Sequence, residues 1–196
     1  MKNKLLALVL SSGVAFPAVA ALQPGQVAPP FKAQASFQGK AFEYSLANAL
    51  KKGAVVVYFY PSAYTGGCNI QAHTFAVNQE KFAAAGATII GVSLDDIGRL
   101  NDFSADPDFC AGKFPTAADP EGNIAKSYEL NIRDVRAGAK DTRGQDINHA
   151  FAERTTFVVT ADGKIAATIG GVQAEDNVNQ TLAFVQGLNG HQAAKP

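Results

Sequence analysis

Ala54-Val55-Val56-Val57-Tyr58-Phe59-Tyr60-Pro61-Ser62-Ala63-Tyr64-Thr65-Gly66-Gly67-Cys68 decides how the rest of the chain is read. Ala54–Tyr60 is a continuous apolar run rich in β-branched and aromatic residues, the pattern of a central strand buried on both faces. From Cys68 to Ala85 the period changes. Cys68, Ala72, Phe75, Gln79 and Phe82 recur at helical spacing on one stripe, and Gly86 suits the end of that helix. Cys68 therefore lies on the first turn of a helix that follows a buried strand, on the core-facing side. The unpaired N–H groups and the positive end of the helix dipole at such a position favour an anionic sulfur.

On either side of this unit the elements follow from local signals. Upstream, Phe31–Tyr44 alternates around a turn at Gln38-Gly39 and reads as a hairpin, after which Ser45 caps a short helix to Leu50 that Gly53 stops. Downstream, Ala87–Ser93 is a second apolar strand. Asp95 or Asp96 caps a middle helix carrying Ile97, Leu100 and Phe103, and Asp119-Pro120-Glu121 starts another with Ile124 and Tyr128 a turn apart. Asn131–His149 is polar and aperiodic, a long surface loop. Thr155–Thr160 and Lys164–Ile169 flank Ala161-Asp162-Gly163 as a hairpin, and Val178, Leu182, Val185 and Leu188 mark a last helix before a polar tail that frays from Asn189. The order β-α-β-α…α-β-β-α, a βαβ unit followed by a ββα unit, is an α/β thioredoxin fold with an added N-terminal hairpin and an added middle helix.

Composition narrows the function. The 196 residues hold 17 basic and 17 acidic side chains, so neither nucleic acid nor a membrane surface is an expected partner. Lys2 and Lys4, the apolar stretch Leu5–Phe16, and Ala18-Val19-Ala20 have the form of a secretory signal peptide, cleaved after Ala20 or Ala21. Neither a twin arginine nor a cysteine marks the cleavage point. The domain expectation is thus a signal peptide over 1–20 and one domain over 21–196, mildly acidic once Lys2 and Lys4 are removed, in the periplasm. Cys68 and Cys110 are the only cysteines; in an exported protein they form either a structural disulfide or a redox pair. His73, His149 and His191 show no metal-ligand spacing with them, so no metal and no cofactor is expected. His73 and His149 read as surface or loop residues.

Pro61, Thr65 and Cys68 form the string Pro-x-x-x-Thr-x-x-Cys between strand and helix, and Arg154 stands just before the strand Thr155-Thr156-Phe157-Val158-Val159. On these residues the chain resembles a peroxiredoxin. Tyr58-Phe59-Tyr60-Pro61 and Gly91-Val92-Ser93-Leu94-Asp95 resemble most the Q-type, or bacterioferritin-comigratory, subgroup. The resemblance covers about residues 25 to 188.

It implies a thiol-dependent peroxidase acting on hydrogen peroxide and small alkyl hydroperoxides. In that role Cys68 attacks a peroxide oxygen and becomes a sulfenic acid. Arg154 supplies a permanent cation to the sulfur and the peroxide oxygens. The Thr65 hydroxyl both accepts and donates, and Pro61 walls off the sulfur. Gly66 and Gly67 let backbone N–H groups face the substrate. Gln71 stands one turn along, near enough to touch the site.

Q-type relatives often carry a second cysteine five positions after the first; here that position is His73. The resemblance therefore makes Cys110 the resolving cysteine, closing an intramolecular disulfide after local unwinding around Cys68. A permanent disulfide, or an inert Cys110 with an outside thiol, are the other readings. The resemblance also implies a thioredoxin-like or other dithiol reductant and a monomer.

Each residue has a plainer role to set against this: a core thiol for Cys68, a surface ion pair for Arg154, a helix cap for Thr65. A thiol–disulfide oxidoreductase would need Cys-x-x-Cys, and Thr65 and Gln71 occupy the positions three residues to either side. It would also usually have a cis-proline before the strand where this chain has Arg154-Thr155. A copper-chaperone relative would want a cysteine where Ala72 stands. The remaining alternative is a redox-regulated binding or chaperone-like module using the Asn131–His149 loop.

Overall fold

The computed structural model describes residues 21–192, with side chains through 188. The expected signal peptide lies outside the described residues. The first elements are β1 (Lys32–Phe37), β2 (Lys40–Ser45), α1 (Leu46–Leu50) and β3 (Ala54–Phe59). They are followed by α2 (Gly66–Ala84), β4 (Ala87–Ser93), α3 (Ile97–Ala105), β5 (Thr116–Ala118) and α4 (Asn123–Ser127). The chain continues through β6 (Ile132–Arg133), β7 (Phe151–Ala152), β8 (Thr155–Val159) and β9 (Ile165–Gly170) to α5 (Ala174–Gln192). Among the described residues no helix is long and apolar enough to cross a membrane.

Seven strands form one sheet in the order β2-β1-β5-β4-β3-β8-β9. β3 pairs parallel with β4 and antiparallel with β8, so it lies at the centre. Alternation along β3 divides the core. Val56, Tyr58 and Tyr60 face a cluster that also contains Cys68, Phe75, Phe82, Leu100, Phe103, Cys110 and Phe114. Val55, Val57 and Phe59 face a second cluster with Leu46, Tyr128 and Phe157. The purely apolar reading of Ala54–Tyr60 thus has its cause in burial of both faces. Gly91 on β4 carries no side chain because a Cβ there would stand 2.8 Å from the Tyr58 ring.

The thioredoxin-like core and the N-terminal hairpin agree with the sequence reading, and Gln38 and Gly39 take the two left-handed positions of its turn (φ 53° and 78°). Three points differ. Thr116–Ala118 is a strand, which bridges β1 and β4 and merges the hairpin into the main sheet. The helix expected from Asp119 begins at Asn123 instead; the Asp119 carboxylate caps it at a distance, accepting from the N–H groups of Ile124 (3.1 Å) and Ala125 (2.8 Å). The last helix does not stop at Asn189 but continues to Gln192.

Candidate active site

β3 delivers Pro61–Thr65 to one end of the sheet, and α2 starts there with Thr65 at its N-cap position and Cys68 on the first turn. Cys68 is 2% exposed and a free thiol. β8, antiparallel to β3, brings Arg154 to the same end. Arg154 Nη2 donates to Cys68 Sγ at 3.3 Å, which puts a full positive charge beside the sulfur. Gly67 makes this approach possible: a Cβ there would lie 3.1 Å from Nη2. The glycine admits the arginine, a reason more specific than the close backbone approach expected from its sequence. Thr65 does not cap α2 with its side chain; its hydroxyl donates to the Ser62 carbonyl at 2.8 Å and ties the loop to itself.

The other guanidinium nitrogen, Nη1, donates to Gln71 Oε1. Gln71 in turn donates from Nε2 to Asn177 Oδ1 at 2.9 Å. Asn177 also accepts from Thr156 Oγ1 (2.6 Å) and donates to the Ile169 carbonyl (2.8 Å). Gln71, Thr156 and Asn177 are fully buried. Arg154 is therefore aimed by a buried polar chain reaching β8, β9 and α5, and its geometry depends on every link being satisfied. Gln71 is in the site, as its place on the helix suggested; Asn177 was not singled out, since nothing in the sequence connects positions that far apart.

Behind the loop lies a second polar assembly that was not anticipated. The Asp95 carboxylate is fully buried and accepts from Ser62 Oγ (2.9 Å), Ala63 N (2.7 Å) and Ser93 Oγ (2.7 Å). His149 Nε2 lies 2.8 Å from Asp95 Oδ1, and Arg99 Nε lies 2.9 Å from the same oxygen. Burial by itself pushes the Asp95 carboxyl up, but the hydrogen bond and charge of His149, with the Ala63 N–H and Ser93, outweigh it and hold the group below its ordinary range. Burial likewise opposes charging of His149, and Asp95 overcomes it, raising His149 above its ordinary value. His149 is thus a loop residue, as read, but an anchored, half-buried partner of Asp95. Its Nδ1 meets the Ala150 carbonyl while Nε2 faces both Asp95 and Ser62, so the three residues do not form a nucleophilic relay.

The loop 131–149 is clamped to the site. Arg99 Nη2 donates to both the Ala63 carbonyl and Asp141 Oδ2 at 2.9 Å. Thr142 donates from its N–H (2.8 Å) and its hydroxyl (2.9 Å) to the Tyr64 carbonyl, and Arg143 stacks on the Tyr64 ring at 3.3 Å. These contacts hold Tyr64 at φ 60°, a left-handed conformation unfavourable for a bulky residue. The long surface loop read from the sequence is a brace on residues 62–64.

Cys110 follows α3 in a tight turn in which Ala111 and Gly112 both have positive φ. It is a fully buried free thiol in the same hydrophobic cluster as Cys68. Burial, with Asp106 nearby, pushes its thiol well above the ordinary value, so in this conformation it stays protonated. Phe109, next to it, stacks on Phe103 and meets the edge of Tyr64, and His73 on α2 contacts the Asp108 carbonyl at 3.0 Å. The segments carrying the two cysteines are therefore in contact while the sulfurs remain unbonded.

Against known proteins, the AhpC/TSA family matches residues 24–168. A provisionally assigned peroxiredoxin of Mycobacterium tuberculosis is 32% identical over 157 residues, covering 80% of this chain and 90% of the relative. Peroxiredoxin Bcp of Xanthomonas campestris is 27% identical over 132 residues, 67% of this chain and 76% of the relative. Among solved structures, peroxidoxin BcpB of Mycobacterium tuberculosis superposes with a TM-score of 0.69 at 23% identity, covering 85% of this chain and 98% of that one. The span of the family match, together with the M. tuberculosis relative, shows that the chain belongs to the AhpC/TSA family, the peroxiredoxins, and that its relatives include the Bcp, or Q, type.

Proposed function

We propose that the protein is a thiol-dependent peroxidase in which Cys68 is the peroxidatic and Cys110 the resolving cysteine. The observation that carries this reading is the Arg154 guanidinium on Cys68 Sγ, at the N-terminus of α2. Cys68 attacks the terminal oxygen of hydrogen peroxide or a small alkyl hydroperoxide. The O–O bond breaks, an S–O bond forms, the sulfur is oxidised to sulfenic acid, and water or an alcohol leaves with a proton. Cys110 then displaces water from the sulfenic sulfur, giving the disulfide. An external dithiol, of thioredoxin-like type, restores both thiols by exchange.

In this reading Arg154 holds the peroxide oxygens and stabilises charge on the leaving one, with the first N–H groups of α2, including that of Gly67, adding donors. Thr65 orients the substrate proton and Pro61 shields the sulfur. Both thiols are buried, so resolution needs the Cys68 turn and the Cys110 segment to open locally. Asp106-Pro107 and Gly112 around Cys110 suit such opening. The working form is a monomer exported to the periplasm; the support for export is the residue pattern of 1–20.

The test is thiol titration after one equivalent of hydrogen peroxide. The expected result is that wild type loses both thiols within the mixing time of a manual assay, and that Cys110→Ser loses only the Cys68 thiol, as a sulfenic acid trapped by dimedone. Reaction at the rate of a free cysteine would reject the peroxidase and favour a redox-regulated binding module.

A further inference from the structure

A cleft of about 460 Å³ opens beside the site, lined by Pro61, Asn131, Arg133, Ala152, Glu153 and Arg154. Its lining includes the arginine that touches Cys68 and Pro61 of the Cys68 loop. The two-stranded ribbon β6–β7 contributes Arg133 and Ala152 to the lining and pairs Arg133 with Phe151. Hydrogen peroxide needs a space of one or two water molecules, on the order of tens of Å³. The cleft is several times larger, so it has room for an organic group attached to the peroxide.

The chemistry at Arg133 is specific. Arg133 is exposed, its guanidinium stacks on the Phe151 ring at 5.4 Å, and it pairs with no carboxylate among the described residues. The ring contact restrains the side chain, and the exposed guanidinium offers the fork of donors that suits a planar carboxylate. Arg133 and Arg154 both line the cleft, so the two guanidinium groups share one cavity. Glu153 also lines the cleft, but its carboxylate accepts from Asn131 Nδ2 (3.3 Å), and two cations against one anion leave the lining net positive.

We propose that this cleft is a specificity site for organic hydroperoxides that carry a carboxylate: the peroxide end meets Arg154 and Cys68 while the carboxylate meets Arg133. The inference rests on the peroxidase reading above and adds the substrate class. Arg133 acts on binding of the tail and takes no part in cleaving the O–O bond.

The probes are cumene hydroperoxide bearing a para carboxylate and the methyl ester of the same compound, which differ in charge at the far end and share the peroxide. In wild type the acid should be reduced faster than the ester, with a kcat/KM ratio on the order of tenfold at low salt that shrinks as salt rises. Arg133→Gln should bring the ratio to about one, Arg133→Glu should invert it, and Glu153→Gln should enlarge it. Because the readout is a ratio within each protein, partial loss of active enzyme cancels. A wild-type ratio of one, or a ratio that Arg133→Glu does not change, overturns the specificity site. Failure of wild type to reduce hydrogen peroxide above background overturns the peroxidase reading itself, so the two failures are distinct.

Discussion

Arg154→Ala is expected to lower the second-order rate constant for hydrogen peroxide by about 100- to 1000-fold, the usual effect of removing one preorganised donor from a developing oxyanion. Nη2 contacts Sγ directly, so the substitution removes the cation from sulfur and substrate together. Arg154→Lys should recover only part of the loss, because an ammonium is a single point charge without the rigid fork whose two nitrogens reach Cys68 Sγ and Gln71 Oε1 separately. Asn177→Ala provides the graded case. It leaves Arg154 in place but unties Gln71, and the rate should fall less than in Arg154→Ala, without change in the peroxide-independent reactivity of Cys110. Stopped-flow measurement at several peroxide concentrations reads all three. A rate for Arg154→Ala within threefold of wild type would remove Arg154 from the chemistry.

The second large effect is on stability. Asp95→Ala should cost about 3–5 kcal/mol, because it leaves His149 without its buried counter-charge, leaves Arg99 with Asp141 alone, and strips Ser62, Ser93 and the Ala63 N–H of their acceptor. The pH dependence follows from the two shifts. The folded-state value of Asp95 is depressed, so its contribution is present above the ordinary carboxylate value and is lost as pH falls through the lower folded value. That of His149 is raised, so its contribution is complete below the ordinary imidazole value and is lost as pH rises through the higher folded value. The gap between wild type and Asp95→Ala should therefore be widest from about pH 4 to 6.5 and narrow on both sides. Urea unfolding across that range measures it. A gap that keeps widening above pH 8 would contradict the ion pair.

The sequence and the structure differ in an instructive way. Periodic, contiguous features were legible: the apolar run of β3, the stripe Cys68–Phe82 of α2, the Asp162-Gly163 hairpin, and the motif that joins Pro61, Thr65 and Cys68. Each is encoded in neighbouring residues, so each leaves a local trace. The hydrogen bonds that aim and brace the site are not local. Gln71 and Asn177 are 106 positions apart, and His149 and Asp95 are 54 apart. An aspartate in Ser93-Leu94-Asp95-Asp96 looks like a helix cap, and Asp96 is the one that caps α3 by accepting from Arg99 N, while Asp95 turns inward. The loop 131–149 read only as a long surface loop because its anchors, Asp141, Thr142, Arg143 and His149, are polar and aperiodic; only the fold brings Arg99, Tyr64 and Asp95 to meet them. Very short strands escaped for a different reason: three residues of β5 and two each of β6 and β7 are too few to show alternation.

In the proposed cycle these contacts give the brace a role. The loop that carries Tyr64 in a strained conformation is held by Thr142, Arg143 and Asp95, and it contacts Phe109 beside Cys110. On that proposal, reaction at Cys68 requires the loop held, and formation of the disulfide requires it released. A network of a few buried polar contacts, each modest in net energy, can serve both demands, since it is stable when complete and opens cooperatively when one part yields.

Peptide mapping of the non-reduced protein after one equivalent of hydrogen peroxide is the most direct test of the central claim. The account predicts a Cys68–Cys110 linked peptide formed in proportion to peroxide consumed in wild type, no linked peptide in Cys110→Ser, and no peroxide consumption above background in Cys68→Ser. Peroxide consumption by Cys68→Ser at the wild-type rate, or oxidation of Cys110 in preference to Cys68, would contradict it.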